Sequence, residues 1–170
     1  LYGNLVLLFE KYNYSISRKI LEESELSSQY LRYLKLTLEL RSYQRHALDL
    51  FKVNQYRGMI VLPTAAGKTI IALQAIIQLK QRSLIIVPTL NLLYQWKDYL
   101  SKYLSLPGSL IGQVGDNIKE IKDITVTTYD SARLNLNIWR KQFNFLVLDE
   151  CHHAAAEETI KILEGSPAIY

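Results

Sequence analysis

From Leu40 onward, short β-rich apolar runs alternate with segments of helical spacing, and this alternation restricts the fold more than any other feature. The runs at 58–62, 84–87, 110–114, 124–128 and 145–149 predict strands. The segments 42–51, 68–79 and 90–104 predict helices, and a last helix is expected over 155–164, where Gly165 is placed to end it. Near-continuous apolar strands separated by helices belong to a mainly parallel sheet covered on both faces, an α/β three-layer sandwich. The third helix carries Leu93, Trp96, Leu100 and Tyr103 on one stripe, which marks its core face. Trp96 therefore reads as a packing residue rather than a stacking platform.

Composition removes several alternatives. The 170 residues are 49% hydrophobic and 21% charged, which suits a globular domain with a real core and excludes a disordered chain. The single cysteine, Cys151, excludes an internal disulfide framework and fits a reducing, intracellular setting, cytoplasmic or, in a eukaryote, nuclear. No apolar run approaches the roughly 18 residues of a membrane span, so no membrane partner is expected. The net charge of +4 mildly favours an anionic partner. The sequence starts at Leu1 and its only methionine is Met59, which suggests a piece of a longer protein. Residues 1–36 show helical spacing through Leu5, Leu8 and Phe9, and again through Ile16, Ile20 and Leu21, but no recognisable site chemistry. They read as an N-terminal extension before a domain at 37–170.

Within that alternation lies MIVLPTAAGKTIIALQ, residues 59–74, a strand–turn–helix with Gly-Lys-Thr at the turn. A phosphate-binding loop is usually written G-x-x-x-x-G-K-[ST], yet Leu62 occupies the first glycine position. What the geometry requires is small residues where the backbone approaches phosphate, and Thr64, Ala65, Ala66 and Gly67 after Pro63 are small. Ala65 is awkward if its φ is positive, where a Cβ costs roughly 1–2 kcal/mol. Backbone N–H groups at the helix start would face phosphate oxygens. Lys68 would reach the β- and γ-phosphates, and the Thr69 hydroxyl would ligate Mg²⁺. Taken alone, the stretch could still be an ordinary turn with a surface lysine.

A second motif decides between them. The run Phe145-Leu-Val-Leu-Asp-Glu-Cys-His-His153 is a further strand that ends in two acids. An acid ending a neighbouring strand is what Mg²⁺ bound to ATP requires. Asp149 would hold the metal and Glu150 would polarise the attacking water. The adjacent Cys151, His152 and His153 do not make a zinc site, because about four ligands are needed and the only other histidine is His46. A Cys-His nucleophile is also disfavoured, since Cys151 reads as a small inward-facing hydrophobe.

These motifs resemble those of superfamily 2 helicases. Asp149-Glu150-Cys151-His152 is similar to their DExH motif II, and residues 63–69 to their motif I. Leu40-Arg-Ser-Tyr-Gln44 resembles the adenine-sensing element ahead of the first strand, Ile86-Val-Pro-Thr89 with Gln95-Trp96 resembles motif Ia, and Thr125-Val-Thr-Thr-Tyr-Asp-Ser-Ala132 the next nucleic-acid motif. The run from Ile118 to Ala132, followed by DECHH, most resembles the XPB-type DNA helicases, particularly archaeal ones. The resemblance implies a RecA-like P-loop NTPase fold, with residues 37–170 as the first ATP-binding motor domain, incomplete at its C-terminus before motif III, and residues 1–36 as an extension or the end of an upstream DNA-interacting domain plus a linker. It implies ATP and Mg²⁺ as cofactors, and contact of Arg41 and Gln44 with the base. Pro88, Thr89, Thr127 and Thr128 would lie against nucleic-acid phosphate, and His152 would link the ATP site to the DNA-binding motifs. For Thr89 and Thr128 alone, helix capping or strand preference explains the residue equally well. The implied partners are single-stranded or forked DNA, a second RecA-like domain of the same chain, and a nuclease or repair or transcription factor. The implied activity is ATP-dependent DNA unwinding or remodelling, and the isolated piece should be nearly inactive. A DExH RNA helicase and a non-translocating P-loop ATPase are the alternatives.

Overall fold

The computed structural model describes residues 29–63, 65–139 and 142–151. The expected helix at 155–164 lies outside them, as do His152, His153 and Thr64. In chain order, α1 (Ser42–Val53) leads to α2 (Lys68–Leu79), β1 (Ser83–Val87), α3 (Leu90–Leu104), β2 (Ile111–Gly115) and β3 (Ile118–Glu120). Then come β4 (Ile124–Thr128), α4 (Tyr129–Leu134), α5 (Leu136–Trp139) and β5 (Phe145–Leu148). The five strands form one sheet in the order β3-β2-β4-β1-β5. β1 pairs in parallel with β4 and β5, and β2 in parallel with β4; only the β2–β3 hairpin is antiparallel.

The apolar strands are buried on both faces, as the sequence requires. Ile85 and Val87 of β1 join Ile111, Ile124, Val126 and Phe145 in a cluster with Leu48, Ile71, Leu73, Ile76, Leu93, Trp96 and Leu100. The alternate residues Leu84 and Ile86 join Val114, Tyr129, Ala132, Trp139 and Phe143 on the opposite face. Helices α1, α2 and α3 thus cover one face and α4 and α5 the other, giving three layers. Fully burying a Leu or Ile contributes about 1.5–3 kcal/mol, so Leu84, Ile85 and Ile86, all at 0% exposure, anchor both clusters to the middle of the sheet. Residues ahead of α1 also join the core. Leu31, in a 3-10 turn at Gln29–Arg32, is buried, and Leu34 and Leu36 pack beside it.

One expected strand is not found. Residues 58–62 keep the alternation of a strand, with Met59 and Val61 exposed and Ile60 and Leu62 half-buried against the core. No strand bonds to them among the described residues, however, and a strand exists through its ladder. Conversely, β3, α4 and α5 are present where the sequence reading assigned no element. β3 follows a tight turn at Asp116 and Asn117, both with positive φ (54° and 59°), the twist that a two-residue hairpin needs.

Candidate functional site

Parallel pairing brings the carboxyl ends of β1, β4 and β5 to one edge of the sheet, and the start of α2 lies beside the end of β5, where Lys68 meets Glu150. At the start of α2, Gly67 has φ 79° and Ala65 has φ 61°, both left-handed. Ala65 therefore sits where a Cβ is strained, as feared from the sequence. Gly67 has a further constraint. A Cβ there would lie 2.5 Å from Nε2 of Gln44, so the position needs glycine for space as well as for its backbone.

Gln44 organises this loop. It is buried in the first turn of α1, and its Oε1 accepts from the Arg41 N–H at 2.9 Å. Its Nε2 donates to the carbonyls of Ala66 (3.4 Å) and Gly67 (3.3 Å). The Tyr43 hydroxyl donates to the Ala66 carbonyl at 2.7 Å, and the Arg41 guanidinium donates to that hydroxyl at 3.3 Å. Arg41, Tyr43 and Gln44 are thus brought to residues 66–67. Tyr43 is a site residue that the motif alone does not reveal; its place between Arg41 and Gln44 is the only sequence signal for it.

β5 delivers the two acids. The Asp149 N–H donates to the Ile86 carbonyl at 2.9 Å, extending the β1–β5 ladder one residue beyond the strand. Glu150 then turns with φ 48°, a left-handed conformation rare for a non-glycine residue, and its N–H donates to Asp149 Oδ1 at 3.1 Å. The turn brings Glu150 Oε1 within 3.7 Å of Lys68 Nζ, joining the two motifs that the sequence holds far apart.

Two further side chains hold Asp149. The Trp96 indole N–H donates to Asp149 Oδ2 at 2.7 Å, and the Tyr129 hydroxyl donates to the Asp149 carbonyl at 3.1 Å. Burial, with the neighbouring Cys151, Asp149 and Glu150, pushes the Tyr129 phenol above its usual range, so it remains a donor. Trp96 does pack in the core at 2% exposure, as its stripe predicted. The sequence reading missed that a buried indole N–H needs a partner, and that an acid could supply it. Cys151 is half-buried rather than enclosed.

The nucleic-acid candidates separate by exposure. Thr89 is exposed and caps α3, its hydroxyl accepting from the Leu92 N–H at 3.3 Å; Pro88 beside it is half-buried. Thr128 is buried at 8% exposure and caps α4, its hydroxyl accepting from the Ser131 N–H at 3.3 Å and donating to Ser131 Oγ at 3.1 Å. Thr127 is fully buried and donates to the Val114 carbonyl at 2.8 Å, so its hydroxyl faces the sheet interior.

Helices on both faces of a mainly parallel sheet, with a Gly-Lys-Thr loop at its carboxyl end, define a RecA-like P-loop domain. The chain belongs to the ResIII family: residues 37–170 match the description "Type III restriction enzyme, res subunit". It is 39% identical over 145 residues to the DNA 3'-5' translocase XPB2 of Sulfurisphaera tokodaii, a match covering 85% of this chain and 32% of that protein. It is 30% identical over 169 residues to the general transcription and DNA repair factor IIH helicase/translocase subunit XPB of Encephalitozoon cuniculi, covering 86% of this chain and 25% of that one. The chain therefore spans a third or less of the length of these relatives. The fold is similar to the crystal structure of the UvsW helicase from bacteriophage T4, with TM-score 0.66 and 27% identity over 89% of this chain and 57% of that one. Among the described residues, no helix is long and apolar enough to cross a membrane.

Proposed function

We propose that residues 37–170 form the first ATP-binding motor domain of an ATP-dependent DNA helicase or translocase acting inside the cell. The observation that carries this reading is the approach of Lys68 to Glu150 at 3.7 Å, which places the phosphate-loop cation beside the strand-end acids. Both side chains are about a third exposed (35% and 32%), and an ion pair this open is worth on the order of 1 kcal/mol or less. Lys68 can therefore leave Glu150 for a phosphate at small cost.

The donor set fits a Mg²⁺–nucleotide. Pro63, Thr64, Ala65, Ala66 and Gly67 are the residues that would surround the phosphates, and the first-turn N–H groups of α2 would face them. Lys68 neutralises the β- and γ-phosphates. Thr69 and Asp149 are the residues that would hold Mg²⁺, which when bound supplies positive charge to the reacting phosphates. Glu150, released from Lys68, orients and polarises the attacking water. Arg41 and Gln44 meet the base, and Gln44 then carries the base's presence to the loop carbonyls that it already holds. Pro88, Thr89 and Thr128 contact DNA phosphate without reading sequence. Thr127 supports Thr128 from inside, and His152 links the two sites. The names of the XPB relatives support DNA as the polymer, and that of the Encephalitozoon cuniculi protein supports a transcription and DNA repair factor as a partner; a second motor domain of the same chain completes the reading.

Measuring ATPase of the full-length protein with single-stranded DNA, RNA or no polymer tests this reading. Stimulation by DNA above RNA is expected. Stimulation by RNA alone would make it an RNA helicase, and stimulation by neither would make it a non-translocating ATPase. A smaller test addresses the loop. Ala65→Gly relieves a positive φ, so in the full-length protein ATP affinity should stay level or rise, by at most about thirtyfold even if all of the roughly 1–2 kcal/mol of relief goes into binding. A clear loss of affinity in an ATP titration would show that the methyl group itself contributes.

A further inference from the structure

We propose that Trp96 and Tyr129 are positioning residues that couple the two DNA-facing loops to the metal carboxylate, Asp149. The idea rests on the functional reading above but concerns residues that reading does not use. Asp149 is gripped from two directions. The Trp96 indole N–H donates to its Oδ2 at 2.7 Å, and the Tyr129 hydroxyl donates to its backbone carbonyl at 3.1 Å. Each donor belongs to a helix that begins at one of the two candidate phosphate contacts. Trp96 lies about two turns into α3, the helix capped by Thr89. Tyr129 is the first residue of α4, capped by Thr128.

A bland account is available for each bond, since buried polar groups find partners. A backbone carbonyl would have served equally, as it does for the other tryptophan, Trp139, whose N–H donates to the Ala132 carbonyl at 2.9 Å. Trp96 instead uses the carboxylate oxygen of a proposed metal ligand. Asp149 Oδ1 already accepts from the Glu150 N–H, so the Trp96 bond fixes the rotation of the whole carboxylate. Any shift of α3 or α4 when Thr89 and Thr128 meet DNA is then transmitted to Asp149 through one hydrogen bond from each helix. The path does not pass through His152, and it is built from rigid elements: α3 is buried along Leu93, Trp96, Leu100 and Leu104.

The test uses the full-length protein carrying Trp96→Phe or Tyr129→Phe, which keep an aromatic ring while removing the donor. Thermal unfolding, the Mg²⁺ dependence of ATPase and the ratio of DNA-stimulated to unstimulated turnover are measured together. Loss of a hydrogen bond to a metal ligand should raise the half-saturating Mg²⁺ of Trp96→Phe by roughly tenfold. Either variant should lower the stimulation ratio by about threefold or more. A merely structural role would lower the unfolding temperature and scale both rates down, with ratio and Mg²⁺ dependence unchanged, and that result would overturn the proposal. Should Trp96→Phe fail to fold, Tyr129→Phe decides through the ratio alone. A parent protein that DNA does not stimulate would instead overturn the functional reading, and the coupling with it.

Discussion

Glu150→Gln in the full-length protein should lower ATP turnover by about 10²–10⁴-fold, the usual worth of a positioned base. Glutamine keeps the size of the side chain and one acceptor oxygen, but it cannot polarise water as a carboxylate does. Nucleotide binding should survive, because Lys68 and the loop backbone are untouched. It should even tighten modestly, since Lys68 no longer leaves a carboxylate at 3.7 Å to meet phosphate. Single-turnover hydrolysis beside equilibrium ATP titration separates the two effects. Near-normal turnover would remove Glu150 from the role assigned to it.

Lys68→Ala should act on the other half of the site. It deletes a charge-assisted contact worth about 1.5–3 kcal/mol, so ATP affinity should fall by roughly 10–100-fold. The loop itself should hold its shape, because Gln44 and Tyr43 fix the carbonyls of Ala66 and Gly67 without help from the lysine. The unfolding temperature should therefore stay near that of the parent while affinity collapses. A parallel loss of both would mean that the Lys68–Glu150 pair is structural.

Much of this molecule could be read before its structure, and the parts that could not share physical causes. Helices α2 and α3 and strand β4 begin and end where the apolar pattern places them, since each presents an uninterrupted or striped face to a deep core. β3 escaped because Ile118, Lys119 and Glu120 are all exposed, leaving no alternation to detect. α4 escaped because six residues are too few to show a helical period, although Thr128 and Ser131 already stood at capping distance. Residues 58–62 read as a strand because side-chain alternation reports one face of a segment, whereas the ladder depends on a neighbour that the segment does not encode. In the site, Lys68, Asp149 and Glu150 were legible as motifs. The grip of Trp96 on Asp149 was not, because a hydrogen bond between residues 53 apart depends on the fold that brings them together.

A crystal structure of the full-length protein with Mg²⁺ and a non-hydrolysable ATP analogue is the most direct test of the site at the centre of this account. The phosphates should lie over the first turn of α2, with Lys68 moved from Glu150 to the β- and γ-phosphates and the metal between Thr69 and Asp149. Nucleotide bound elsewhere, or a Lys68–Glu150 pair still intact beside bound phosphate, would contradict it.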